Sequence, residues 1–84
     1  MTDRLTVYFY TKAKCKLCDE SKELLQMLQK VYHFNIIEQN IYQNERLLDE
    51  YHLSIPVVRI DQDELTAEDM DIVTMEDFIT KRLH

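Results

Sequence analysis

Three features of the sequence predict an α/β fold built on a mixed four-stranded sheet flanked by helices. Short runs of β-branched and aromatic residues alternate with stretches of helical periodicity through the first two-thirds of the chain. Two such runs then follow each other with only Asp61-Gln62-Asp63-Glu64 between them, as in a hairpin. The chain closes on one more amphipathic stretch. The order is β-α-β-α-β-β-α, in which parallel neighbours need crossover helices and the hairpin adds an antiparallel pair.

Leu5-Thr6-Val7-Tyr8-Phe9-Tyr10 is rich in strand-forming side chains and reads as a strand buried on both faces. Leu17 to Val31 reads as a helix. Within it Leu24, Leu25, Leu28 and Val31 recur at helical spacing, and Glu20, Lys22, Glu23, Gln26, Gln29 and Lys30 fill the outer positions. Phe34 to Glu38, centred on Ile36 and Ile37, is the second strand. Asn44 is an N-cap for a short helix through Tyr51, with Leu47, Leu48 and Tyr51 on one face. Ile55-Pro56-Val57-Val58-Arg59-Ile60 is the third strand, with proline near its start, where a missing N–H is tolerated. Asp61 to Glu64 turn the chain, and Leu65-Thr66-Ala67 return as the fourth strand. Thr74 suits the N-cap of a last helix, with Glu76 and Asp77 in its first turn and Met75, Phe78, Ile79 and Leu83 facing inward.

The 84 residues suffice for one small domain, and residues 1–84 contain no glycine- or proline-rich linker, repeat or low-complexity segment. An apolar content of 45% is that of a globular rather than a disordered chain. No apolar run approaches the roughly 20 residues of a membrane span. Met1-Thr2-Asp3-Arg4 lacks the charged and apolar regions of a secretory signal, so a cytoplasmic protein without membrane association is expected.

The charge is unevenly divided. Residues 1–30 carry six basic side chains (Arg4, Lys12, Lys14, Lys16, Lys22, Lys30) against four acidic ones, whereas residues 31–84 carry twelve acidic against four basic. A net charge of −6 argues against nucleic-acid binding, which needs Lys and Arg to neutralise phosphates. It favours solubility or basic protein partners.

The locally basic segment holds the only two cysteines, in Cys15-Lys16-Leu17-Cys18, between the first strand and the first helix. A strand-to-helix junction exposes a dithiol, and the unpaired N–H groups of the helix start stabilise a thiolate. In a reducing compartment such a pair cycles rather than staples. Cys15, at the helix start, is the candidate nucleophile, and Cys18, one turn inward, the candidate resolving thiol.

The order of elements, the Cys-x-x-Cys opening the first helix and Ile55-Pro56 at the third strand together resemble the thioredoxin fold. Cys15-Lys16-Leu17-Cys18-Asp19-Glu20-Ser21 and Tyr51-His52-Leu53-Ser54-Ile55-Pro56-Val57-Val58 are similar to a glutaredoxin-like family of small, mostly bacterial proteins. The resemblance covers nearly the whole chain. It implies a disulfide reductase acting on protein or small-thiol disulfides. It also implies a cis Ile55–Pro56 bond beside the dithiol, where backbone groups of Ser54 and Ile55 meet an extended substrate. Lys12, three positions before Cys15, matches a basic residue with which many glutaredoxins bind glutathione; Lys16 would add positive potential to the same site.

The chain also departs from that pattern. Lys16-Leu17 replaces the usual Pro-Tyr, and no glycine pair precedes the last helix. The segment holding Glu68, Asp69 and Asp71 stands there instead and would repel the carboxylates of glutathione. His52 stands where the related family tends to place glycine, and histidine visits the left-handed region more readily than most residues.

A monomer without metal or resident cofactor is expected, with glutathione allowed by the resemblance only as a reductant. One Cys-x-x-Cys supplies two of the four ligands of structural zinc, and His33, His52 and His84 are not spaced as a zinc pair. Two other functions stay open: a non-catalytic thioredoxin-like adaptor, and a dimer bridging an iron–sulfur cluster with one cysteine per chain.

Overall fold

The computed structural model describes residues 4–83; His84, and Met1 to Asp3 of the segment read for a secretory signal, lie outside the described residues. Four strands and three helices follow in the expected order: β1 (Thr6–Thr11), α1 (Lys16–Tyr32), β2 (Asn35–Asn40), α2 (Glu45–Tyr51), β3 (Val57–Ile60), β4 (Asp63–Leu65) and α3 (Ile72–Thr80). Single 3-10 turns at Ile41–Gln43 and Ala67–Asp69 precede α2 and α3. The sheet order is β2-β1-β3-β4, with β2 parallel to β1 and the other two pairs antiparallel.

β1 is interior because its two faces feed two cores. Val7 and Phe9 pack with Leu25 and Leu28 of α1 and with Met75 and Ile79 of α3. Tyr10 points the other way, into a cluster with Ile41, Leu47, Tyr51 and Val57. The alternation of a strand thus serves both layers. β2 lies at the edge, and most of its residues are exposed. The large apolar side chain of that segment is Phe34, buried one residue before the strand begins.

Asn44 caps α2, its side-chain oxygen accepting from the N–H groups of Arg46 and Leu47 at 3.0 and 3.2 Å. Without glycine, the chain places non-glycine residues in the left-handed region at Lys14, His33 and Asp61, with φ of 55°, 56° and 55°. His33 ends α1 there, its N–H donating to the Gln29 carbonyl at 2.9 Å. His52, which stands where the related family tends to place glycine, has φ −59°. Its N–H donates to the Leu48 carbonyl at 3.1 Å, so it extends the right-handed turn of α2.

Three expectations are corrected. The hairpin is tighter than the sequence suggested: Ile60 pairs with Asp63, leaving Asp61-Gln62 as the loop and ending β4 at Leu65 rather than Ala67. Asp61 supplies the positive φ for which a glycine would ordinarily be chosen, because aspartate visits that region more readily than most residues. Val31, expected on the inner face of α1, is 65% exposed. The stripe continues instead through Tyr32, four residues after Leu28, whose hydroxyl donates to Glu76 of α3 at 2.7 Å.

The third correction is the start of α3, whose N-cap is Asp71 rather than Thr74. The Asp71 carboxylate accepts from the Thr74 N–H at 2.8 Å and from the Thr74 hydroxyl at 2.9 Å. Those bonds hold the Asp71 carboxyl below its usual pKa, the backbone N–H contributing most. A carboxylate with a depressed native pKa adds stability above its unfolded value of about 3.9, and this is lost as pH falls through the native value. Asp71→Ala should therefore lower the melting temperature at pH 7, and the loss should shrink as the pH falls toward 2. Equal losses at both pH values in thermal melts would contradict this.

Candidate active site at the start of the first helix

Cys15 and Cys18 are joined as a disulfide, their Cα atoms 5.2 Å apart. Cys15 is the N-cap of α1, with φ −123° and ψ 105°, outside the helix but already feeding it: its carbonyl accepts from the Asp19 N–H at 3.0 Å. Its sulfur accepts from the Cys18 N–H at 3.1 Å, where a serine or aspartate oxygen would usually sit. The left-handed turn at Lys14 comes immediately before and redirects the chain from β1 into the helix. The two cysteines differ in exposure: Cys15 is half-buried, whereas Cys18 is 1% exposed.

The Ile55–Pro56 peptide bond is cis. The strand pairing of Val57 with Tyr10 puts Pro56 at the C-terminal end of β1, the end from which the chain runs to Cys15. In open sheets with helical crossovers, that end is where ligands bind. Ser54 and Ile55 are held by one carbonyl: their N–H groups both donate to Tyr51 O, at 2.8 and 3.2 Å. The Ser54 carbonyl accepts from the Ala67 N–H at 3.1 Å, which brings the acidic turn Ala67–Asp69 against this loop. The backbone of Ser54 is thus engaged within the chain. Among the described residues, the Ile55 carbonyl accepts no backbone hydrogen bond.

Tyr51 also anchors the loop from below. Its ring stacks on Tyr10 with centroids 4.7 Å apart, and its hydroxyl donates to the Glu64 carboxylate. Burial first, and the Glu64 carboxylate second, hold its phenol far above the usual range, so it stays a neutral donor. Arg59 completes this cluster by donating to the Tyr10 hydroxyl at 3.3 Å. None of this network was read from the sequence, since its members lie on four different elements, β1, α2, β3 and β4.

Lys16 is exposed beside the disulfide, in the first turn of α1. Lys12 is half-buried and lines a polar cleft of about 370 Å³ at the ends of β1 and β2, shared with Lys14, Asp19, Glu38 and Asn40. A larger cleft of about 730 Å³, lined by Arg4, Tyr32, Arg59 and Arg82, lies off the opposite end of β1 and includes neither cysteine. Leu53, just before Ser54, is 88% exposed. Among the described residues no three His, Cys, Asp or Glu side chains converge as a metal site, and no helix is long and apolar enough to cross a membrane. One residue near the dithiol was passed over in the sequence: Ser21, buried three positions after Cys18. Its spacing from Cys18 was the available signal.

Comparison with known proteins identifies this arrangement. The glutaredoxin-like domain family (DUF836) matches residues 6–83. A protein from Nitrosomonas europaea solved in solution is 26% identical, covering 93% of this chain and 94% of its own, with a TM-score of 0.74. A structural-genomics target protein from X. campestris is 22% identical over 89% of this chain and 96% of its own, with a TM-score of 0.76. The oxidised thioredoxin from Plasmodium falciparum shares the fold at 13% identity, with a TM-score of 0.75 over 98% of this chain and 84% of its own. No curated protein matches the chain. A thioredoxin-type fold carrying a Cys-x-x-Cys pair at its first helix supports redox chemistry in general terms.

Proposed function

Since the chain belongs to the glutaredoxin-like domain family of the thioredoxin superfamily, we propose that it is a thiol–disulfide oxidoreductase in which Cys15 attacks and Cys18 resolves. The observation that carries this is the asymmetry of the pair: a reachable sulfur at a helix cap, bonded by a backbone N–H, over a sulfur sealed in the core. In the reduced protein the same N–H and the helix start favour thiolate over thiol at Cys15. The Cys15 thiolate attacks one sulfur of a substrate disulfide and expels the other as a thiolate, which takes up a proton. Cys18 then gives up its proton and attacks the Cys15 sulfur of the mixed disulfide. That step forms the internal bond and releases the second substrate thiol. Two electrons have passed to the substrate, and a thiol reductant must restore the pair.

Pro56 and Ile55 form the wall against which a substrate chain lies, with the free Ile55 carbonyl as its hydrogen-bond acceptor. Lys12 and Lys16 supply positive potential on the helix side, and Glu68 and Asp69 supply negative potential beyond Ser54. This polarity suits a polypeptide disulfide better than glutathione, whose carboxylates meet the acidic side.

Alkylation of the reduced protein across pH tests the assignment. Cys15 should be modified first, with a half-maximal rate below the ~8.5 of a free thiol, while Cys18 reacts only slowly in the folded chain. Two cysteines that react together, and only after denaturation, would overturn it.

A further inference from the structure

Ser21 presents an anomaly beside the dithiol. It is 1% exposed, and among the described residues its buried hydroxyl oxygen has no hydrogen-bond partner. It stands on α1 three residues after Cys18, one turn along the same buried face that continues to Leu25 and Leu28. Side chains at this spacing are neighbours on a helix surface. An unpaired buried hydroxyl is costly, and native proteins pair nearly all such groups. Alanine would avoid that cost and would favour the helix as well. The hydroxyl is accounted for if its partner exists in the other redox state.

The structure shows the disulfide form, in which the Cys18 sulfur is bonded to Cys15 and offers neither a proton nor a full negative charge. Reduction breaks that bond, delivers two electrons and two protons to the pair, and frees the Cys18 sulfur to rotate. We infer that the Ser21 hydroxyl is the hydrogen-bond partner of the reduced Cys18 sulfur, positioning it beneath Cys15 and donating to it as a thiolate when it attacks the mixed disulfide. Ser21 is thus a positioning residue, and its role rests on the exchange chemistry proposed above.

The consequence has a definite sign. Ser21→Ala removes the unpaired hydroxyl from the oxidised form and the hydrogen bond from the reduced form. Both changes favour the disulfide, whereas the gain in helix propensity is common to the two forms and cancels. Parent and variant are equilibrated in glutathione buffers, in which two thiols reduce the pair and yield one glutathione disulfide, then quenched and alkylated. The variant's equilibrium should move toward the disulfide by about tenfold, equivalent to a potential about 30 mV more negative. Thermal melts give an independent check: the oxidised variant should be at least as stable as the parent, and the reduced variant less stable. An equilibrium constant within about twofold of the parent's, a shift in the opposite direction, or equal changes in both melts would overturn the inference. If the parent itself does not equilibrate with glutathione or with dithiothreitol, the exchange chemistry falls and this role with it. If the parent equilibrates and the variant keeps its potential, only the role of Ser21 falls.

Discussion

Cys15→Ser is expected to abolish disulfide exchange, lowering turnover by on the order of 10³-fold or more, as loss of a nucleophile does in other covalent mechanisms. Cys18→Ser should behave differently. Its Cys15 thiolate still attacks, but the mixed disulfide has no internal resolving group and accumulates. Mass spectrometry of the variant incubated with a disulfide peptide should show one peptide bound through Cys15, released by excess thiol. Used as bait in a cell extract, the same variant would retain the proteins on which the parent acts. The contrast follows from the geometry, because only Cys15 is accessible and Cys18 is sealed under the helix start. Equal residual turnover in the two variants would remove the assigned roles.

Phe9→Ala is the substitution with the largest expected effect on stability. Phe9 lies at the middle of the interior strand β1, paired with Glu38 on one side and Val58 on the other, and is fully buried against α1 and α3. Truncating a buried phenylalanine costs about 3–5 kcal/mol, through lost burial and the cavity left behind. Small domains have total stabilities of about 5–15 kcal/mol, so little margin would be left. The disulfide closes too short a loop to compensate. At roughly 4 °C or more per kcal/mol for a domain of this size, the melting temperature should fall by at least ~12 °C. Met27→Ala, on the same fold but 56% exposed, is the control and should change stability by no more than about 0.5 kcal/mol. Similar losses for the two variants would mean that the core is not where the packing places it.

The division between legible and illegible features follows the range of the interactions. Val7 and Phe9, the Leu25–Leu28 stripe and the Asn44 cap were readable because periodicity and capping are local and repeat over several residues. The position of Cys15 at the head of α1 was readable for the same reason. The start of α3 was not: Asp71 and Thr74 are both good caps, and in the fold the Asp71 carboxylate takes both the N–H and the hydroxyl of Thr74, so the helix begins after Asp71. The outward turn of Val31 was decided the same way, since Leu28 can be followed on the stripe at either three or four residues, and Tyr32 reaches α3.

By itself, then, the sequence determined the order of elements, the interior strand and the presence of a dithiol at a strand-to-helix junction. Each of these depends on residues within a few positions of one another. Tertiary packing alone decided that Tyr51 holds Ser54 and Ile55, that Ala67 closes on Ser54, and that the Ser21 hydroxyl is sealed without a partner among the described residues. Those outcomes depend on which groups are brought together and which are shut off from water. That depends on the closing of the sheet and helices around them, and no local pattern encodes it.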